Sequence, residues 1–244
     1  MCDILVRINP HTPISRNSFD ENADTEIIFE ALQGRPLDEL LNFVRGKDID
    51  LVMNNGRNPE THSIEMAEKL ARKAPCSVLV VPQDKTAAIH KVLVSVDFSE
   101  NSEDAIDVGI AYASAAGLSE ISCLHAYSVP LGYYKTGKSS EEFAEIMLKN
   151  AESQFETFIK KFDLKGLTAK PVFVLNPSPE EAIEKTVQSG HYDLLVLGSR
   201  GRSTGAAVLL GSVTEKLLWS TKVPLLAVKK KGTGLKVLEA LFNV

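Results

Sequence analysis

Two hydrophobic patterns alternate along this chain. Unbroken apolar runs recur early as CDILVRI, TEIIFEAL, IDLVMN and CSVLVVP, then as KVLVSVD, EISCLHAYSV, AKPVFVL, YDLLVLG and VPLLAVK. A strand that is apolar at successive positions has both faces covered, so these runs predict a parallel sheet flanked by helices. Between the later runs, apolar residues at helical spacing predict helices over 102–116, 140–162, 179–189 and 211–220. Ser139 or Ser140 with Glu142, and Ser178 ahead of Pro179, Glu180 and Glu181, are expected amino-terminal caps. From Lys91 onward strands and helices alternate as β-α-β-α-β-α-β-α-β, so the fold class is α/β with a complete doubly wound parallel sheet.

The pattern also repeats. IDLVMNNGRNPETHSIEMAEKLARKAPCSVLVVP lines up with YDLLVLGSRGRSTGAAVLLGSVTEKLLWSTKVPLLAVK, and EIIFEALQGRPLDELLNFV lines up with KPVFVLNPSPEEAIEKTV. A period of about 145 residues suits a tandem domain and not a solenoid. The first copy holds only the later elements of the unit. It opens at what should be the second strand, 3–8, and the polar stretch HTPISRNSFDENAD stands where a long helix would be. The expected division is a partial domain at 1–83, a linker at 84–89, a complete domain at 90–231 and an amphipathic tail at 232–244. The length of 244 residues, about one and a half ordinary domains, agrees with it.

Composition narrows the class. With 44% hydrophobic and 24% charged residues the chain can build a proper core. The formal charge of -5 and the scatter of Lys and Arg among acids argue against general binding to nucleic acid or an anionic membrane, while leaving room for a local anion pocket. No apolar run reaches the roughly 18 residues of a membrane span, and Pro10 interrupts any signal-peptide core, so a cytoplasmic protein is expected. Cys2, Cys76 and Cys123 are far apart and lack CxxC or His partners at ligand spacing. They read as reduced thiols, with Cys76 and Cys123 as small buried side chains, and not as a zinc site.

Three features carry chemistry. The first strand of the complete unit ends at Asp97, and ligands of such sheets sit at the carboxyl ends of strands. The fourth ends in Gly198-Ser-Arg-Gly201, followed by nine residues, Gly211 and Ser212, where a helix begins. Glycines let main-chain N–H groups approach an anion closely, a helix amino terminus is a positive dipole end, and Arg200 and Arg202 add charge.

This combination, Gly198-x2-Gly201-x9-Gly211-Ser212 with Asp97 in VDFSE and LHA ending the second strand, resembles the nucleotide-binding branch of the universal stress protein (UspA) family over about 90–230. The resemblance implies a Rossmann-like, adenine nucleotide alpha hydrolase-like fold, in two tandem domains of which the first is truncated. It implies ATP as cofactor. Ser95, Val96 and Asp97 would lie against ribose and adenine, Ala126 would offer main-chain contacts to the adenine edge, and Gly198, Gly201, Arg202, Ser203, Gly211, Ser212 and Val213 would surround the triphosphate. Mg2+ or Mn2+ bridging the phosphates would need few protein ligands and would find its nearest carboxylate in Asp97; no dedicated metal ligand set is expected. Asp97 can also cap the helix that follows.

The first copy departs from this pattern. It reads Asn54-Asn55-Gly56-Arg57-Asn58-Pro59, its loop is shorter, and Ser63-Ile64-Glu65 replaces the Gly-Ser position. A carboxylate facing phosphates repels them, so this half is expected to bind no ATP. Its expected role is architectural, pairing Val78–Val81 with Leu225–Val228 as an internal pseudo-dimer, with a homodimer of chains left open.

Gly132-Tyr-Tyr-Lys-Thr-Gly137-Lys138-Ser139 matches GxxxxGK[ST] between a strand and a helix. Pro130 separates it from its strand, two tyrosines would crowd a phosphate cradle, and no later strand ends in a matching acid; it reads as a solvated loop. His125, in an apolar strand, reads as a satisfied core residue, and the other histidines fall in loops or at element ends. No catalytic set is visible. The functional expectation is an ATP-binding regulator or adaptor for an unidentified protein partner, hydrolysing ATP slowly at most. A P-loop or other ATP-hydrolysing enzyme and a nucleotide-free scaffold are the alternatives.

Overall fold

The computed structural model of the chain describes residues 32–47, 49–55, 63–82, 89–201 and 210–229. Seven of the apolar runs form one sheet: β1 (Leu51–Asn55), β2 (Ser77–Val81), β3 (Val92–Ser95), β4 (Glu120–Tyr127), β5 (Thr168–Leu175), β6 (Leu194–Gly198) and β7 (Leu225–Val228). The runs CDILVRI and TEIIFEAL, the linker 84–89 and the tail fall wholly or almost wholly outside the described residues. The helices are α1 (Pro36–Gly46), α2 (Ser63–Lys73), α3 (Glu100–Ala115), α4 (Ser140–Ile159), α5 (Pro179–Gly190) and α6 (Ser212–Ser220).

The spatial order is β1-β2-β7-β6-β3-β4-β5. From β3 onward this is the doubly wound arrangement, in which the chain steps outward from β3 through β4 and β5, then crosses to β6 and β7 on the other side. Those pairs are parallel, as is β1 with β2. The exception is β2 with β7, antiparallel with Val78 opposite Ala227 and Val80 opposite Leu225, which joins the early strands to the late ones through the expected pairing of Val78–Val81 with Leu225–Val228.

Successive strand residues serve opposite cores, which is why the runs are continuously apolar. Leu93, Leu195, Leu197, Leu225 and Ala227 face one side with α1, α2, α5 and α6. Val92, Val94, Leu194, Val196 and Leu226 face the other with α3 and α4. Cys76 and Cys123 are fully buried, and burial pushes the Cys123 thiol up to about 12.

Local capping explains where the helices differ from expectation. The α3 helix starts at Glu100, two residues early, because the Ser99 side chain accepts the Ser102 N–H. Ser139 and Glu142 form a reciprocal capping box on α4, as expected. Ser178 precedes α5 but its side chain makes no cap bond; its N–H donates to Asn176 Oδ1 at 2.8 Å, and Pro179 at the first helical position has no N–H to satisfy.

The outer edge at β5 is blunted. Thr168 N donates to Ser119 O and Asn176 N to Tyr127 O, so even-numbered amides of β5 face β4 and odd-numbered ones face away. Pro171 is among the latter, where its missing N–H costs the ladder nothing.

Because β7 is hydrogen-bonded on both sides and Leu225 is fully buried, Leu225→Ala should cost about 2–5 kcal/mol. Urea unfolding followed by the fluorescence of Trp219, the sole tryptophan, and by far-UV circular dichroism should shift together. An unchanged midpoint would contradict the central placement of β7.

Candidate nucleotide site

The strands β4 and β6 leave β3 on opposite sides, and their connections leave opposite faces of the sheet, so a crevice opens at the carboxyl ends of β3 and β6. A cavity of about 250 Å3 occupies it. Its lining brings together ten of the twelve residues singled out from the sequence. Ser95, Val96 and Asp97 come from the end of β3, Ala126 from β4, Gly198, Arg200 and Gly201 from the end of β6, and Gly211, Ser212 and Val213 from the start of α6. Arg202 and Ser203 lie outside the described residues. A second cavity, of about 300 Å3, lies beyond the other end of the strands beside Glu184, His191 and Lys222, and none of these site residues lines it.

Asp97 is held firmly. Its Oδ1 accepts from Ser99 N at 3.1 Å, from Ser99 Oγ at 2.5 Å and from Ser102 Oγ at 2.5 Å, while its own N–H donates to Ser102 Oγ. The carboxylate thus organises the start of α3 as well as lining the cavity. Its other oxygen faces the glycine-rich loop, since a Cβ on Gly201 would lie 2.9 Å from Oδ2.

The glycines are required by space. A Cβ on Gly198 would stand 2.7 Å from the Asn101 carbonyl oxygen and 3.0 Å from that of Arg200, both main-chain atoms that cannot step aside. Gly211 is less constrained, its nearest neighbour being Arg200 Cα at 3.3 Å. Gly211 N donates to Ser199 O, and Thr214 Oγ1 donates to Gly198 O at 3.0 Å, which locks α6 onto the end of β6.

The amino terminus of α6 is kept clear of its own carboxylate. Glu215, the acid in its first turn, reaches away to Arg72 of α2 at 3.1 Å. The Glu180 carboxylate at the start of α5 is likewise engaged by Lys216, whose hydrogen bond lowers its pKa. The GxxxxGKS segment differs in both respects. It forms a short 3₁₀ turn at Tyr133–Thr136 between Gly132 and Gly137, both with left-handed backbone, and the Ser139 N–H at the start of α4 is taken by Glu142 Oε2 at 2.8 Å.

Sequence reasoning missed five lining residues: Ser102, His125, Pro179, Leu197 and Thr214. Ser102 was signalled by its spacing of three from Ser99, an N-cap distance. His125 is half-buried and satisfied as expected, with Nδ1 donating to the Val96 carbonyl at 2.9 Å, which fixes the proton on that nitrogen. The Phe98 ring lies 4.3 Å from the imidazole, and Phe98 has a φ of 62°, a strained value for a bulky residue.

The profile of the universal stress protein family matches residues 88–229. The chain belongs to that family. Among curated universal stress proteins, MJ0577 of Methanocaldococcus jannaschii is 31% identical over 159 residues, covering 59% of this chain and 96% of that protein. One from Thermus aquaticus, described as lying in the QAH/OAS sulfhydrylase 3' region, is 28% identical over 138 residues, covering 57% of this chain and 97% of that protein. The crystal structure of a universal stress protein from Archaeoglobus fulgidus shares the fold at 18% identity, with a TM-score of 0.58, covering 85% of this chain and 70% of that one.

The unequal crowding at the two glycines is measurable. Gly198→Ala in this universal stress protein should lose about 1–3 kcal/mol of stability in urea unfolding, and Gly211→Ala less than about 1 kcal/mol. Equal losses would contradict the loop geometry.

Proposed function

We propose that this universal stress protein binds one ATP in the crevice between β3 and β6 and acts as a nucleotide-dependent regulator or adaptor for a protein partner. The observation that carries the reading is the main-chain cradle at Gly198 and Gly201, facing the cleared amino terminus of α6 with Arg200 beside it. Such an arrangement offers N–H groups, a positive dipole end and a guanidinium to phosphate oxygens. In this reading Ser95, Val96, Asp97 and Ala126 take the nucleoside, Gly198 to Ser203 and Gly211 to Val213 take the phosphates, and the protein is cytoplasmic.

Asp97 is the single acid among the described residues lining the cavity. A Mg2+ or Mn2+ ion arriving with the nucleotide would draw its remaining ligands from phosphate and water. In this reading ATP is hydrolysed slowly at most.

We also read the chain as tandem, in the division 1–83, 84–89, 90–231 and 232–244. The order α1-β1-α2-β2 parallels α5-β6-α6-β7, and α1 and α5 both begin at a proline. In place of the Gly-Ser start of α6, α2 carries Glu65 in its first turn, paired with Lys69 at 3.9 Å, which supports a first half that binds no ATP. The glycine-rich counterpart at 56–59 lies outside the described residues. The β2–β7 pair then acts as an internal pseudo-dimer contact.

Calorimetric titration with ATP, with mass spectrometry of nucleotide released on denaturation, tests the reading. Binding of one ATP per chain is expected, lost in Gly198→Val and Gly211→Val and unchanged in Lys138→Ala. No binding, or binding indifferent to the glycine variants, overturns it.

A further inference from the structure

We propose that the first half of the chain strengthens anion binding at the phosphate end of the pocket by holding Lys229, whose ammonium sits on main-chain carbonyls at the end of α2 beside the loop that carries Arg200. The inference rests on the nucleotide reading above and assigns that site a residue, and a dependence on the first half, that the lining does not show.

Lys229 stands where three segments meet. Gly198 is opposite Val228 in the sheet, and Ser199 N donates to Val228 O at 2.8 Å, so the chain leaving β7 runs beside the glycine-rich loop. The Lys229 N–H donates to Ser77 Oγ at 3.2 Å, at the start of β2. Its Nζ donates to Ala74 O at 2.6 Å and to Arg72 O at 3.2 Å, carbonyls at the end of α2 that have no partner within the helix. They form the negative end of the helix dipole and hold a cation well. A residue of the second half is thereby fixed in place by the first.

The charges around this ammonium are mostly positive. The Arg200 guanidinium on the β6–α6 loop opposes the charge on this ammonium. Arg72 and Lys73 close α2, and Arg72 is paired with Glu68 of its own helix and Glu215 of α6. Burial first, then the Arg200 charge, pull the Lys229 ammonium down to about 8, with Cys76 opposing. A polyphosphate beside Arg200 would supply counter-charge for both cations.

Binding and protonation are then linked reciprocally: an anion that raises the proton affinity of Lys229 is itself bound more tightly when Lys229 is charged. The sign follows from the depressed value. Below about pH 8 Lys229 is charged and its contribution to anion binding is complete; as pH rises through 8 the unliganded protein loses the proton and affinity falls. If the bound anion raises the value by about one unit, ATP affinity falls about fivefold between pH 7 and 9.

The test is calorimetry on the full chain at pH 7 and 9, with ATP and with adenosine as the uncharged probe, for wild type, Lys229→Arg and Lys229→Met. The wild type should lose about fivefold in ATP affinity over this range and nothing in adenosine affinity. Lys229→Arg, whose guanidinium does not titrate there, should bind ATP equally at both values. Lys229→Met should bind it equally at both values and about ninefold more weakly than wild type at pH 7. ATP binding by wild type without pH dependence, or a dependence that Lys229→Met retains, overturns this inference alone. Absence of ATP binding by wild type overturns the nucleotide reading and this inference with it. Trp219 fluorescence verifies that each variant is folded, and the wild-type profile with Lys229→Arg decides the matter if Lys229→Met is not.

Discussion

The double pairing of β7 is the constraint on which the rest of the molecule depends. Four residues, all buried, take parallel hydrogen bonds from β6 on one side and antiparallel ones from β2 on the other. The first pairing fixes where β6 ends and so where its glycine-rich loop begins. The second extends the sheet with β1 and β2 and lets α2 lie against α6. An apolar strand left unpaired on one side would be a template for wrong partners; here the same chain fills the position.

The two sides of β7 then act on one another. The amino terminus of α6 faces the cavity without its own acid because Glu215 is drawn to Arg72, a residue of α2. Trp219 Nε1 of α6 donates to Glu68 of α2 at 3.1 Å. These contacts are partly exposed and individually weak, so their importance is one of placement. They turn side chains away from a region that would otherwise repel an anion. The start of α4, by contrast, keeps its own carboxylate on its first N–H groups, and its GxxxxGKS sequence has no cradle behind it.

What could be read from the sequence was what depends on near neighbours. Strands buried on both faces show themselves as unbroken apolar runs, and the spacing Gly198, Gly201, Gly211 shows where a close main-chain approach is needed. Asp97 was legible because a strand end in a parallel sheet is a fixed location. Thr214 and Lys229 were not, since their partners lie 16 and 152 or more residues away and nothing local marks them. The start of α3 was misplaced by two residues because a hydroxyl at Ser99, and not the apolar pattern, decides it. The Walker-like string shows the reverse error: a matching order of residue types whose backbone, with left-handed turns at Gly132 and Gly137, does not form the shape that gives the string its meaning.

The blunted edge at β5 bears on assembly. With Pro171 turned outward, a strand arriving there would meet a gap in its ladder near the middle. Among the described residues the opposite edge is β1, which contains no proline. The two edges of the described sheet thus differ in what they offer. An open side interrupted by proline cannot give an incoming strand a continuous ladder, so the β5 side resists edge-to-edge pairing.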